Sequence, residues 1–195
     1  RKVLYNGWYP MSFIGMDIKG KTIGLIGAGR IGERVAYHVT KGFDANVIYV
    51  DTRKNQNIES NCNAVRVDNL DDLLAQADIV SLHVPLLPST KHMVNTDFLK
   101  NMKKTAYLIN TSRGAVVDEQ ALVKALAEKT IAGAALDVYE FEPKLAKGLT
   151  KLENVVLTPH IASASEHARN EMARVAAQNI IDVFEKRKPA GEIIA

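Results

Sequence analysis

An apolar, β-like segment, Thr22-Ile-Gly-Leu-Ile26, runs directly into Gly27-Ala-Gly-Arg-Ile-Gly32, and few folds accommodate that junction. A Gly-x-Gly-x-x-Gly turn between a strand and a helix is a seat for a dinucleotide pyrophosphate. Gly27 allows the tight turn, Gly29 lets the backbone approach the phosphates, and Gly32 permits close packing of helix on strand. The helical run Ile31 to Thr40 then presents free N–H groups to the anion. An unliganded strand-to-helix turn is the plain alternative, and a second signal weighs against it. Asn46-Val-Ile-Tyr-Val50 reads as the next strand and ends on Asp51, 19 positions beyond Gly32, where a carboxylate meets ribose hydroxyls. That acid favours NAD over NADP because it repels a 2′-phosphate. Arg53 and Lys54 would pair with such a phosphate if their loop bent back, and otherwise form a solvated turn.

Strand-like and helical runs alternate along the rest of the chain. Strands are expected at 22–26, 46–50, 64–67, 78–84, 106–110, 132–138 and 154–157, and helices at 31–40, 70–75, 96–102, 119–128 and 165–186. Such alternation predicts an α/β fold, a doubly wound parallel sheet of Rossmann type forming a single nucleotide-binding domain. The expected layout is a connecting arm over 1–20, the dinucleotide-binding domain over 21–188 and a C-terminal tail over 189–195. Trp8 is expected to pack within the arm. In the closing helix Met172, Val175, Ala176, Asn179, Ile180 and Val183 fall at three-to-four spacing and read as its core face.

Composition narrows the class. The chain has 195 residues, of which 47% are hydrophobic, enough for one packed core and short for two. A net charge of +3, scattered in sequence, gives no stripe for nucleic acid. No apolar run has the length of a membrane span, and Arg1-Lys-Val-Leu-Tyr5 is not a signal peptide. Cys62 has no second cysteine to pair with, reads as an inert thiol in a polar loop, and fits a reducing, cytoplasmic setting; no metal motif is present. The start at Arg1 rather than Met suggests a fragment or processed chain.

In open parallel sheets ligands bind beyond the carboxyl ends of the strands. Arg113, Glu142 and His160 all emerge there. Singly, they read equally well as a surface cation, a loop acid before Pro143 and a half-buried histidine. Together they match what reduction of a 2-keto acid requires: a cation for the carboxylate and carbonyl, and an acid to protonate the oxygen as hydride arrives. A free histidine titrates near about pH 6.5, and a carboxylate neighbour favours its protonated form. His83 also ends a strand and reads as lining the cofactor. His38, His92 and His167 have no evident partner and read as surface residues.

Five ordered motifs carry a family resemblance: Gly27-Ala-Gly-Arg-Ile-Gly32, Leu82-His-Val-Pro-Leu-Leu-Pro-Ser-Thr90, Ile109-Asn-Thr-Ser-Arg-Gly-Ala-Val-Val-Asp118, Ala135-Leu-Asp-Val-Tyr-Glu-Phe-Glu-Pro143 and Leu157-Thr-Pro-His-Ile-Ala-Ser163. Over nearly its whole length the chain resembles D-isomer-specific 2-hydroxyacid dehydrogenases, nearest the glyoxylate/hydroxypyruvate reductase and glycerate dehydrogenase members. The resemblance implies NAD(H) as cofactor and a small 2-keto or 2-hydroxy acid as substrate. It assigns Arg113 to the substrate carboxylate, His160 to general acid/base work and Glu142 to pairing with His160. Asp137 would orient the nicotinamide carboxamide and help tune the histidine. Arg30 and Ile31 would meet the pyrophosphate, Asp51 the adenosine ribose, and His83, Pro85, Thr90, Thr111 and Ala162 would line the cleft. It also implies a homodimer, with the arm and long helices in contact, and a substrate domain that this chain lacks. The fragment alone is therefore expected to bind NAD(H) and turn over poorly. Two rivals share the scaffold: NAD-sensing corepressors, which use the fold to report nucleotide state to partners, and formate dehydrogenases, which have glutamine where Glu142 stands.

Overall fold

Parallel strands need a crossover between them, and this chain places an α-helix in every crossover but the last. The structure is a computed structural model that describes residues 7–11 and 14–191. In chain order the elements are β1 (Thr22–Ile26), α1 (Arg30–Phe43), β2 (Asn46–Val50), α2 (Gln56–Cys62), β3 (Val65–Arg66), α3 (Leu70–Gln76), β4 (Ile79–Leu82), α4 (Thr96–Asn101), β5 (Tyr107–Asn110), α5 (Glu119–Ala127), β6 (Gly133–Leu136), β7 (Val155–Leu157) and α6 (Glu166–Phe184). Single 3₁₀ turns occupy Gly114–Val116 and Leu149–Lys151. The seven strands form one parallel sheet in the order β3-β2-β1-β4-β5-β6-β7. Strand order reverses between β1 and β4, so the glycine turn after β1 lies at the switch point where such sheets bind ligands.

Burial on both faces explains the near-continuous apolar strands: all four β4 residues are buried, and so are four of the five in β1. Two cores result. One joins Leu25, Tyr49 and Ile79 to Ala36 of α1 and to Ile58 and Cys62 of α2. The larger one packs Leu82, Leu108 and Leu136 against Leu73, Leu99, Leu122 and Leu126. Each fully buried leucine contributes about 2 kcal/mol of transfer free energy. Side chains at the N-caps of five helices fix where those helices begin: Asn55, Asn69, Asn95, Asp118 and Ser165 each accept backbone N–H bonds from the first turn. α1 differs. Gly29 stands at its N-cap, and no side chain closes its first turn.

Four expectations change. The strands shrink at their ends: β3 keeps two residues, and the 78–84 and 132–138 runs contract to Ile79–Leu82 and Gly133–Leu136. The polar loop around Cys62 is a helix, α2, whose two buried residues Ile58 and Cys62 lie four apart on one face, so the thiol is buried rather than in a loop. The closing helix does not bury a core face. None of its residues is buried, and large apolar side chains stand exposed along it, up to Phe184 at 84% exposure. Trp8, expected to pack, is 78% exposed because 7–11 form no helix or strand against the sheet. Residues 1–6 and 12–13 of the arm and 192–195 of the tail lie outside the described residues.

Asn55 does two jobs at the edge of the smaller core. Its Oδ1 accepts the N–H groups of Asn57 and Ile58 at 3.0 and 3.3 Å, and its Nδ2 donates to the Ala28 carbonyl in the glycine turn at 2.7 Å. Asn55→Ala is expected to cost about 1–2 kcal/mol of stability, lowering the urea midpoint at unchanged slope. An unmoved midpoint would show that the cap is dispensable.

Candidate active site

At the switch point the turn is held by hydrogen bonds that leave the first turn of α1 open. Gly27 donates to the Val50 carbonyl at 2.9 Å, and His83 donates to that of Ile26 at 2.7 Å. Gly27 has φ +93°, and a Cβ there would lie 2.6 Å from the His83 carbonyl oxygen; a side chain on Gly32 would collide with the Gly27 carbonyl. Arg30 and Ile31, which open the helix, are exposed. An N-terminus with no side-chain cap, carrying the positive end of the helix dipole, beside a turn that excludes a side chain at Gly27 and Gly32 and leaves open space at Gly29, fits a pyrophosphate.

Asp51 follows β2. Its Oδ2 accepts the Ala28 N–H at 2.7 Å, and Oδ1 accepts the Arg53 N–H at 3.0 Å. Burial pushes its carboxyl up, but the hydrogen bonds from Ala28, Arg53 and Thr52 outweigh this and hold it below the usual value. The charge suits ribose hydroxyls. Lys54 pairs with Glu59 at 3.1 Å rather than turning back toward Asp51.

His83 lies beyond β4 with Nε2 3.0 Å from Ser81 Oγ. Burial pushes its pKa down to about 4, so the ring is uncharged near neutrality and is no proton donor there. The following loop is tied by Thr90, whose Oγ1 donates to the Pro85 carbonyl at 2.6 Å and accepts the Leu87 N–H at 2.8 Å.

Asn110, Leu136 and Leu157 stand in register at the ends of β5, β6 and β7, and the three chemistry-bearing segments leave from that row. Asn110 is fully buried; its Oδ1 accepts the Ser112 N–H at 3.0 Å and its Nδ2 donates to the Arg113 carbonyl at 3.0 Å, shaping the loop that exposes Thr111 and Arg113. Gly114 packs its backbone against the Tyr139 carbonyl so closely that no side chain fits.

Asp137, 4% exposed, fastens the third segment to the second. Oδ1 accepts from Thr158 Oγ1 at 2.6 Å and the Ile161 N–H at 2.8 Å, while Oδ2 accepts the Ala162 N–H at 2.8 Å. These bonds clamp His160 in a left-handed conformation, φ +53°, that non-glycine residues avoid at a cost of about 1–2 kcal/mol. The Asp137 side chain expected at the nicotinamide is thus engaged on the His160 turn. Tyr139 adds a second tie, its hydroxyl donating to the Thr158 carbonyl at 2.7 Å.

The pairing follows. Glu142 Oε2 lies 3.0 Å from His160 Nδ1, and Oε1 accepts the Tyr139 N–H at 3.0 Å. The His160 hydrogen bond, then that of Tyr139, holds the Glu142 carboxyl below its usual value. An ionised carboxylate only accepts, so Nδ1 carries the proton and Nε2 is left for chemistry. A cavity of about 380 Å³ lined by Tyr139, Glu142, Pro143, Leu157 and His160 adjoins the pair. A larger hollow of about 1040 Å³, lined by Lys21, Asp78 and Tyr107, sits at the amino ends of the strands, away from the turn and the pair.

Sequence reading anticipated Glu142 and His160 as partners. The structure also sets Arg113 on the neighbouring loop, although no contact joins it to them. Sequence reading does not single out Asn110, which ends β5, Tyr139, which follows β6, or Glu119, in the first turn of α5. His92 also differs from expectation: its Nε2 lies 2.6 Å from Glu140 Oε1, a partner 48 positions away. Among the described residues no cluster of three or more His, Cys, Asp or Glu could hold a metal, and no helix is long and apolar enough to cross a membrane.

Residues 1–162 match the model of the D-isomer specific 2-hydroxyacid dehydrogenase, NAD binding domain. The chain is 51% identical over 183 residues to a glyoxylate reductase of Thermofilum pendens, covering 93% of this chain and 54% of that protein. It is 52% identical over 174 residues to a glyoxylate reductase of Pyrococcus horikoshii, covering 89% and 52%. Among solved structures, the NAD-complexed D-isomer specific 2-hydroxyacid dehydrogenase of Lactobacillus delbrueckii ssp. bulgaricus superposes with a TM-score of 0.83 at 36% identity, covering 96% of this chain and 60% of that one. The chain spans about half the length of the curated relatives it matches.

Asp137 makes a pH-dependent contribution. Burial raises its carboxyl, yet the bonds from Thr158, Ile161 and Ala162 together hold it below the usual 3.8. A depressed folded value stabilises fully above the unfolded value and is lost as pH falls through the folded one. The stability gap between wild type and Asp137→Asn is therefore expected to be largest near neutrality and to narrow below about pH 4. Urea titrations at pH 7 and pH 3 check this, and a gap that does not narrow would contradict it.

Proposed function

Since the chain belongs to the D-isomer specific 2-hydroxyacid dehydrogenase family, whose NAD-binding domain it carries, we propose that it binds NAD(H) and supplies the proton donor and carboxylate clamp for reducing a 2-keto acid to a D-2-hydroxy acid. Glyoxylate or hydroxypyruvate is the substrate in this reading, which draws on the relatives named glyoxylate reductase. The observation that carries it is the Glu142–His160 pair at 3.0 Å on an open strand edge.

The open N-terminus of α1 and the backbone of Arg30 and Ile31 hold the pyrophosphate, Asp51 the adenosine ribose, and the loops of His83, Pro85, Thr90, Thr111 and Ala162 line the cleft. When bound, NADH supplies the hydride. Arg113 grips the substrate carboxylate with paired N–H donors and steadies the carbonyl. His160 Nε2 gives its proton to the carbonyl oxygen, and in the reverse direction takes it from the hydroxyl. Glu142, held ionised, accepts from Nδ1–H and balances the positive ring. Asp137 keeps the ring-bearing turn in place.

The proposal extends to a homodimer in the cytoplasm, with the uncovered apolar side chains of α6 and the arm as contact elements. The isolated chain is expected to bind NADH and to turn over keto acids poorly, because the residues that sort substrates belong to the half of the relatives it does not span. The formate dehydrogenase reading is disfavoured by Glu142, whose carboxylate serves a protonated histidine better than an amide would. No observation favours the NAD-reporting interaction protein.

With the chain extended to the length of its relatives, His160→Ala is expected to lower keto-acid-dependent NADH oxidation at least about a hundredfold while NADH binding persists. NADH binding without oxidation by glyoxylate, hydroxypyruvate or pyruvate would sink the proposed reaction. For the cofactor seat, Gly27→Ala is expected to weaken NADH binding by about tenfold or more, read by fluorescence titration, since the turn must open to fit the methyl group.

A further inference from the structure

Glu119 is a carboxylate buried to 2% exposure in the first turn of α5, with no part in the proposed chemistry. We propose that Glu119 is a positioning residue that staples the Glu142-bearing loop at both ends and thereby sets the Glu142–His160 contact. Its Oε1 accepts the Glu140 N–H at 2.8 Å and its Oε2 accepts the Ala146 N–H at 3.1 Å. Those donors bracket Glu142 and Pro143. Within the bracket, Lys144 donates to the Phe141 carbonyl at 2.8 Å, so Glu142 rides on a short turn fixed at its base. The grip is partly reciprocal: the Glu119 N–H donates to Glu140 Oε2 at 3.4 Å, and Glu140 Oε1 meets His92 Nε2 at 2.6 Å.

Stability alone does not call for a carboxylate here. Burial pushes the Glu119 carboxyl up, the two N–H bonds oppose this, and the nearby charges of Glu140 and Glu142 push it up again. An uncharged side chain would escape those costs. What only a carboxylate of this length offers is two acceptor oxygens aimed at two backbone donors; a glutamine would set its NH₂ against one of them. The same segment carries Arg113, and Gly114 abuts the Tyr139 carbonyl, so residues 113–119 join the loop of the proposed carboxylate-binding arginine to the loop of the acid pair.

The inference rests on the Glu142–His160 pairing proposed above, and its test separates the two. Long-range ¹H–¹⁵N spectra of the histidine rings, recorded on this chain, read the His160 tautomer and the hydrogen-bonded Nδ1 proton. Wild type is expected to show Nδ1 protonated with a downfield proton, and Glu142→Ala, which removes the acceptor, to lose that signature. Glu119→Gln is expected to weaken it in the same direction while NADH binding stays within about twofold, and Glu119→Asp, which reaches one donor, to fall between. Should Glu119→Gln not fold, Glu119→Asp alone decides. Loss of the signature in Glu142→Ala with no change in either Glu119 variant would overturn the positioning role. An unchanged signature in Glu142→Ala would overturn the pairing itself.

Discussion

Two backbone N–H groups, of Ile161 and Ala162, end on the buried carboxylate of Asp137, and the place of His160 depends on them. Without those acceptors the turn would carry a left-handed histidine and two unpaired donors, each costing about 1–3 kcal/mol. With them the strained conformation is the stable one. The ring then points its Nδ1 at Glu142.

The same device recurs across the sheet. Asp51, one residue past β2, accepts the Ala28 N–H of the glycine turn; Asn110, the last residue of β5, accepts that of Ser112; Asp137, one residue past β6, accepts those of the His160 turn. Each acceptor sits where parallel pairing ends and loop backbone would otherwise be left unpaired. The sheet thereby transmits its register to three connections. In the proposed reading two halves share one scaffold: the β1–β2 side would seat an anion and a ribose, and the β5–β6–β7 side would be the proton-transfer edge.

Much of this was legible in the chain itself. The strand, glycine turn and acid spacing mark the nucleotide seat because they are read over a short stretch of chain, although the contact that forbids a side chain on Gly27 is with the distant His83 carbonyl. Helix starts fall where a capping residue precedes the first turn, as at Ser165 and Asp118. α2 was overlooked since its apolar face comprises little more than Ile58 and Cys62, although Asn55 before it is a capping residue. The apolar spacing of α6 was read as a core face, but periodicity reports that a face seeks cover and does not say what covers it.

The sequence by itself determined the doubly wound sheet, the place of the glycine turn and the residue types that can grip a carboxylate and move a proton, because these follow from local chain pattern and hydrophobic period. Only the tertiary structure decided which polar atoms meet. Asp137 with Ile161, His92 with Glu140 and Glu119 with Ala146 are separated by 24, 48 and 27 positions. A hydrogen bond is settled by tenths of an ångström between atoms on different strands and loops, and that spacing exists only once the sheet register has brought their ends into one row.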